Sequence, residues 1–237
     1  MSVLQPGGAP LPENCLEIWK KLGGLYQRPT EWPDAPIVMY AGTYDFGEDI
    51  LNFVGDNYYN FAVVEYRPAK LRFFARTLAV WVRSYFGSKG VTNLDAVVGV
   101  EMGSVRFSDC MAEELAIAHS PYAEKSGKEV VFSRNTVERG WRVLICEDVL
   151  NNFSTTQKLI NLIESCGATV VGIVGAMNRS PDGRVWFDNK GTQIPILSIL
   201  FNPTPEYRQD DPYVADLIAR GLLVKKPKAE WDKLAGF

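Results

Sequence analysis

The sequence predicts an α/β fold built on a parallel sheet, and three stretches predict it. Arg142–Leu150 begins with Val143-Leu144-Ile145-Cys146, four apolar residues in a row, as in a strand buried on both faces. Thr169-Val170-Val171-Gly172-Ile173-Val174 is a second run of this kind, and Asp95–Val100 is a third. Between the first two, Leu159, Ile160, Ile163 and Cys166 recur at helical spacing, and Gly167 marks a helix stop. Strand, helix, strand at this spacing is a βαβ unit, whose crossover is right-handed.

The other elements follow in chain order. Residues 1–12 are rich in Gly and Pro and read as disordered. Glu13 to Leu22 has Leu16, Ile18, Trp19 and Leu22 as the apolar residues of a short amphipathic helix. Gln27 to Pro36 carries three prolines and reads as a linker. The chain therefore divides into an extension and linker, 1–36, and a domain, 37–237. Ile37–Tyr40 is a candidate strand, Gly42–Gly55 has no clear periodicity, and Asn57–Tyr66 reads as strand. Pro68 suits the first turn of a helix over Ala69–Phe86, where Leu71, Phe74, Ala75, Leu78, Val82 and Phe86 hold the apolar face.

After the Asp95–Val100 strand, Glu101-Met102-Gly103-Ser104 is a turn into a helix over Val105–Ala116. His119–Glu124 and Glu129–Arg134 read as two strands joined by Ser126-Gly127-Lys128, a hairpin signal. Ile194–Leu200 is a further strand. Asp210-Asp211-Pro212-Tyr213 starts a helix to Arg220, and Pro227–Phe237 reads as one short helix.

Composition narrows the function classes. The chain has 237 residues, 46% hydrophobic and 22% charged, enough for the core of one α/β domain. The net charge is −3 with basic residues dispersed, so no nucleic-acid footprint is expected. No apolar run approaches the length of a membrane helix, and Met1–Pro12 lacks a basic and then apolar leader. A cytoplasmic protein with no membrane partner is expected. The four cysteines, Cys15, Cys110, Cys146 and Cys166, form no CxxC pair and read as reduced thiols. His119 is the single histidine, which argues against a Ser-His-Asp triad or a His-rich metal site. No G-x-G-x-x-G follows a strand, which argues against a generic dinucleotide-binding enzyme.

The chemistry concentrates after Cys146. Ligands of open α/β sheets bind at the carboxyl ends of strands, and Glu147 and Asp148 are expected at such an end. Asn151-Asn152-Phe153 leads into Ser154-Thr155-Thr156-Gln157, where Ser154 and Gln157 fit a capping box. The N–H groups of a helix start favour an anion. Adjacent carboxylates suit sugar hydroxyls or a hydrated Mg²⁺, and the N–H cup suits a phosphate, so a sugar phosphate would use both. A surface turn with two solvated acids is the alternative.

Val143 to Thr155 resembles the phosphoribosyl pyrophosphate (PRPP) motif of type I phosphoribosyltransferases, in which a hydrophobic strand leads into two acids and a phosphate loop. Within that family the chain looks most like the orotate phosphoribosyltransferases. The likeness runs from about Asp95 to about Gly221. It includes Asp95–Ser104, Tyr122-Ala-Glu-Lys125, the motif itself and Asn178-Arg179-Ser180. It implies a central parallel sheet flanked by helices, a short flap hairpin and an N-terminal hood, with 37–237 as the phosphoribosyltransferase-like domain. It also implies transfer of the phosphoribosyl group from PRPP to orotate or a related base, releasing pyrophosphate, in pyrimidine nucleotide synthesis.

The roles it implies fall on matching positions. Gly103, Ser104 and Lys128 would meet the pyrophosphate, with Arg134 a further candidate. Asn151, Asn152, Phe153, Ser154 and Thr155 would cradle the 5′-phosphate. Lys125, Glu147 and Asp148 would be catalytic, the two acids holding Mg²⁺ only through its waters. Arg179 would pair with the carboxylate of orotate, with Tyr58 and Tyr59 on the base side. A homodimer is implied by the family habit of sharing flap residues. Two departures stand out. Phe153 occupies a glycine position, where a positive φ would cost a kcal/mol or more. Phe53 and Val54 lie where the family carries a lysine. A phosphoribosyltransferase for another base, or a non-catalytic nucleotide-binding regulator on this fold, are the alternatives.

Overall fold

The computed structural model describes residues 14–88, 93–127 and 129–236. The stretch 1–12 and Lys128 lie outside the described residues. In chain order the elements are α1 (Asn14–Lys21), β1 (Leu25–Gln27), β2 (Ile37–Phe46), β3 (Asp49–Gly55), β4 (Asn57–Tyr59), α2 (Ala62–Glu65), α3 (Pro68–Ser88), β5 (Ala96–Val100) and α4 (Val105–Leu115). They continue with β6 (Tyr122–Ser126), β7 (Glu129–Val131), β8 (Arg142–Leu150), α5 (Ser154–Ser165), β9 (Thr169–Asn178), β10 (Trp186–Asn189), β11 (Thr192–Phe201), α6 (Pro212–Ala219), β12 (Leu223–Val224) and a 3₁₀ turn at Trp231–Lys233.

A seven-stranded sheet in the order β10-β11-β9-β8-β5-β6-β7 is the frame. Strands β11, β9, β8, β5 and β6 are parallel, and β10 and β7 close the two edges antiparallel. The expected α/β architecture is present. Alternation along β8 shows why its apolar run is unbroken. Leu144 and Cys146 join a core under α1, α3 and α4. Val143 and Ile145 join a second core under α5, with Leu159, Ile160 and Ile163. Each face has its own helical cover, so both sets of side chains must be apolar.

Residues 14–36, expected as an extension and linker, contribute to the main core. Trp19 is fully buried and meets Phe61 and Phe74 edge-on at 5.3 and 6.1 Å. Its Nε1 donates to the Asn60 carbonyl at 3.0 Å. Gly24 passes so close that a Cβ there would lie 2.3 Å from the Trp19 ring. Burial of side chains this large stabilises by about 1.5–3 kcal/mol each.

That cluster also explains one sequence misreading. Asn57–Tyr66 is strand only to Tyr59; Ala62–Glu65 is one helical turn. Phe61 and Val64, three apart, both enter the same core. Packing has overridden the β preference of an aromatic and β-branched run.

Gly42–Gly55, unassigned from sequence, forms most of the β2–β3 hairpin, with a register irregularity between Met39 and Thr43. With β12 it makes a three-stranded sheet, so the hood is built from both ends of the chain. β10 and β12 are further strands the sequence reading missed. All four cysteines are free, with Cys15 and Cys146 buried. His119 stacks on Trp141 at 4.4 Å and is a packing residue. Among the described residues no helix is long and apolar enough to cross a membrane.

Candidate active site

Strand pairing opens the cleft. β8 follows β5 only to the Val98–Ile145 pair but follows β9 as far as Leu150–Asn178. Glu147 and Asp148 therefore lie inside β8, three and two residues before its end, rather than beyond it. They stand where β8 has parted from β5, and they line a cavity of about 920 Å³. This is within the usual size of a ligand site.

Burial governs both acids. Burial raises the Glu147 carboxyl from 4.5 to about 8, and the neighbouring Asp148 adds to the rise. Lys125 and the Ser104 hydroxyl oppose it. Asp148 is also raised by burial, against the Val149 N–H, Lys228 and Lys125. The Val149 N–H donates to Asp148 Oδ1 at 2.8 Å. The β5–α4 turn lies directly against Asp148, because a Cβ on Gly103 would fall 2.5 Å from Asp148 Oδ2. Only glycine admits the carboxylate this close. The Glu101–Met102 peptide of this turn is cis.

Ser104 serves the turn rather than the cavity. It is fully buried, and its hydroxyl accepts from Val100 N at 2.8 Å and donates to Val100 O at 2.9 Å.

The Asn151–Thr155 loop faces the same cavity. The expected Ser154–Gln157 capping box is absent: Phe153 is the N-cap, and no side chain caps from that position. Asn152 takes over, its Oδ1 accepting from Ser154 N at 3.0 Å. Phe153 has φ 62°, the left-handed region. Phe153 borders the cavity, but its ring lies in the core. It is 4% exposed and packs in the core under α5, 5.6 Å from Phe187. The left-handed backbone costs about 1–2 kcal/mol and the buried ring offsets this with about 1.5–3. The Ser154 N–H is taken by Asn152, and Thr155 and Thr156 of the first turn of α5 line the cavity.

Lys125 reaches the cavity from the β6–β7 hairpin, where it pairs with Val130. Arg134 does not line the cavity and instead lies 3.8 Å from Glu124. Tyr58 and Tyr59 line the opposite wall. The Tyr59 hydroxyl accepts from Asn202 Nδ2. Burial, and after it Asp148, pushes Tyr58 up to about 12.

Arg179 is placed differently from a free arm. It is 6% exposed, its Nη2 lies 3.1 Å from Glu206 Oε1, and its guanidinium sits 3.9 Å above the Tyr40 ring. The same Glu206 oxygen accepts from Asn151 Nδ2 at 2.6 Å. Arg179 Nη1 and Asn151 Oδ1 are buried without a partner among the described residues. One acid thus joins the Asn151–Thr155 loop to Arg179 and leaves a donor and an acceptor unfilled beside the cavity.

Sequence reasoning missed Tyr40, Glu206, Lys225, Lys226 and Lys228. Glu206 gives no local signal, since its partners are 27 and 55 residues away. Three lysines within Lys225-Lys226-Pro227-Lys228 were a visible charge run, but nothing in the sequence brings that tail to the site.

A model of the phosphoribosyl transferase domain matches residues 73–192. The chain belongs to that family. Its match takes in the Gly103 turn, the hairpin, the acid pair, the Asn151–Thr155 loop and Arg179. An orotate phosphoribosyltransferase of Caldanaerobacter subterraneus subsp. tengcongensis is 25% identical over 173 residues, 73% of this chain and 82% of its own. One from a Thermoanaerobacter species is 24% identical over 216 residues, 91% of this chain and 96% of its own. The solved UMP synthase of Leishmania donovani covers 94% of this chain with 42% of its own, at TM-score 0.54 and 15% identity, a likeness of fold.

Phosphoribosyl transferase domains are associated with Mg²⁺ through their PRPP substrate. Among the described residues no group of three or more His, Cys, Asp or Glu is placed to hold a metal ion. Two adjacent carboxylates facing the cavity fit a hydrated Mg²⁺ held through its waters, since this ion sheds water reluctantly.

Proposed function

We propose that the protein transfers the phosphoribosyl group of PRPP to orotate. The observation that carries this reading is the acid pair and the start of α5 lining one cavity, with the Phe153 ring packed in the core. The cavity then has one place for ribose hydroxyls and one for the 5′-phosphate.

In the reaction the bond from ribose C1 to the pyrophosphate oxygen breaks, and a deprotonated ring nitrogen of the base forms the new bond to C1. Charge moves onto the leaving pyrophosphate. Catalysis is therefore positioning and electrostatics. Glu147 and Asp148 hold the ribose hydroxyls. Asn151, Asn152, the main chain of Phe153, Ser154 and Thr155 hold the 5′-phosphate. The Gly103 turn and Lys125 receive the pyrophosphate, with Lys128 a further candidate from its place in the sequence. Arg179, with Tyr58 and Tyr59, orients the base. Mg²⁺, when bound, supplies charge neutralisation on the pyrophosphate. Sharing of the hairpin between two copies in a homodimer belongs to the same reading.

A second reading, transfer to an uncharged base, is favoured by one observation: Arg179 already has Glu206 as its counter-ion. One assay separates the two. Protein, Mg²⁺, PRPP and orotate are mixed and orotate absorbance is followed. Loss of absorbance that falls at least about a hundredfold in kcat/KM for Arg179→Lys supports orotate as acceptor. Turnover with an uncharged base and none with orotate supports the second reading. No turnover with any base contradicts both.

A further inference from the structure

We propose that Lys228, carried on the C-terminal strap between Val224 and Leu234, is a diphosphate-binding group of this site, with Lys225 and Lys226 on its rim. The inference rests on the PRPP reading above. All three lysines line the cavity that holds the acid pair.

The strap is anchored at both ends. Val224 pairs with Val38 in the hood sheet, and Leu234, 1% exposed, packs with Tyr26, Val38 and Tyr40. Between them Pro227 is buried, and the Trp231 ring lies 6.3 Å from the Tyr58 ring. Ala229 N and Glu230 N both donate to Lys226 O at 2.9 Å, folding the segment into a turn. The lysines are held over the cleft by packing, not by ion pairs: among the described residues none of the three meets a carboxylate within salt-bridge distance. Their side chains are exposed, so their charge is available to a ligand.

The reach of Lys228 toward the acids and the first turn of α4 favours the diphosphate over the 5′-phosphate. Lys228 acts on Asp148 more strongly than Lys125 does. It also acts on Glu65 together with Arg106, a residue of the first turn of α4. Lys228, like Arg106 of the first turn of α4, is thus within electrostatic reach of Glu65, and it lines the cavity with Met102 and Gly103 of the β5–α4 turn. Lys125 comes from the hairpin and Lys228 from the strap, two ammonium groups flanking one acid pair. A leaving group with several negative charges needs more than one cation. The Phe53–Val54 stretch of the hood supplies none: Val54 is buried and bonds Tyr207.

The test is calorimetric titration of PRPP, pyrophosphate and ribose 5-phosphate, each with Mg²⁺, into the full chain and its variants. Lys228→Ala should raise the Kd of PRPP and of pyrophosphate about tenfold or more, and leave that of ribose 5-phosphate unchanged. The loss should shrink at high salt, and Lys228→Arg should restore most of the affinity. Lys233→Ala, on the same tail but paired with Glu230 outside the cavity, should bind as the wild type does. Wild-type affinity for all three ligands in Lys228→Ala, or an equal loss for all three, overturns the assignment of Lys228 while leaving the PRPP reading intact. A wild-type chain that binds neither PRPP nor ribose 5-phosphate overturns the PRPP reading and this inference with it.

Discussion

Phe153 shows how one residue can break a local rule and leave a site usable. Its backbone is left-handed, as a glycine's would be, and its ring is buried against Phe187. Phe153→Gly would relieve about 1–2 kcal/mol of backbone strain and lose about 3–5 kcal/mol of packing, a net loss of about 2 kcal/mol. Urea denaturation measures it; a more stable variant would mean that the ring is not a core group. Glu147 gives a pH test. Its carboxyl is raised from 4.5 to about 8 in the folded chain. Between those values the folded form keeps a proton that the unfolded form has released, so stability falls as pH rises through this window. Asp148 has the same sign. The melting temperature of the ligand-free protein should therefore drop from about pH 5 to about pH 8, and Glu147→Gln should flatten the drop. A ligand that needs the carboxylate should release protons on binding and bind more tightly as pH rises over the same window, which calorimetry in buffers of different ionisation heat detects.

Among the elements, β8 and the loop after it carry the chemistry, and Glu206 holds that loop to the strand end that bears Arg179. Their side chains are only 7% and 8% exposed, so removing one partner strands a charge. Glu206→Ala should cost about 3–5 kcal/mol, and a double-mutant cycle with Arg179→Ala should show strong coupling rather than simple addition. An additive cycle would mean that the pair does not act as a unit. The parallel strands, α3 and α5 were legible because each is a long, strongly periodic segment. The end of β8 was not, because it depends on β9 continuing after β5 has parted. The capping box failed because Asn152, one residue before the N-cap, reaches the Ser154 N–H first.

At the scale of the molecule, the hood sheet of β12, β2 and β3 joins segments far apart in the chain, and both β2 and the Lys225–Ala229 segment line the cavity that holds the acids. The acid pair, the Gly103 turn and Lys125 were legible as cavity-lining candidates because they lie in contiguous motifs. Tyr40, Glu206 and the strap lysines were not, because their place depends on contacts between distant segments, such as Val224 beside Val38. The account stands on the acid pair and the N–H cup together gripping a phosphorylated sugar. Titration of PRPP with Mg²⁺ into wild type and a Glu147→Gln, Asp148→Asn double variant tests this most directly. The wild type should show one saturable site and, at a hundredfold excess over its Kd, gain about 2.7 kcal/mol of stability. The double variant should lose most of that affinity while remaining folded. Absence of binding by the wild type, or undiminished binding by the double variant, would contradict it.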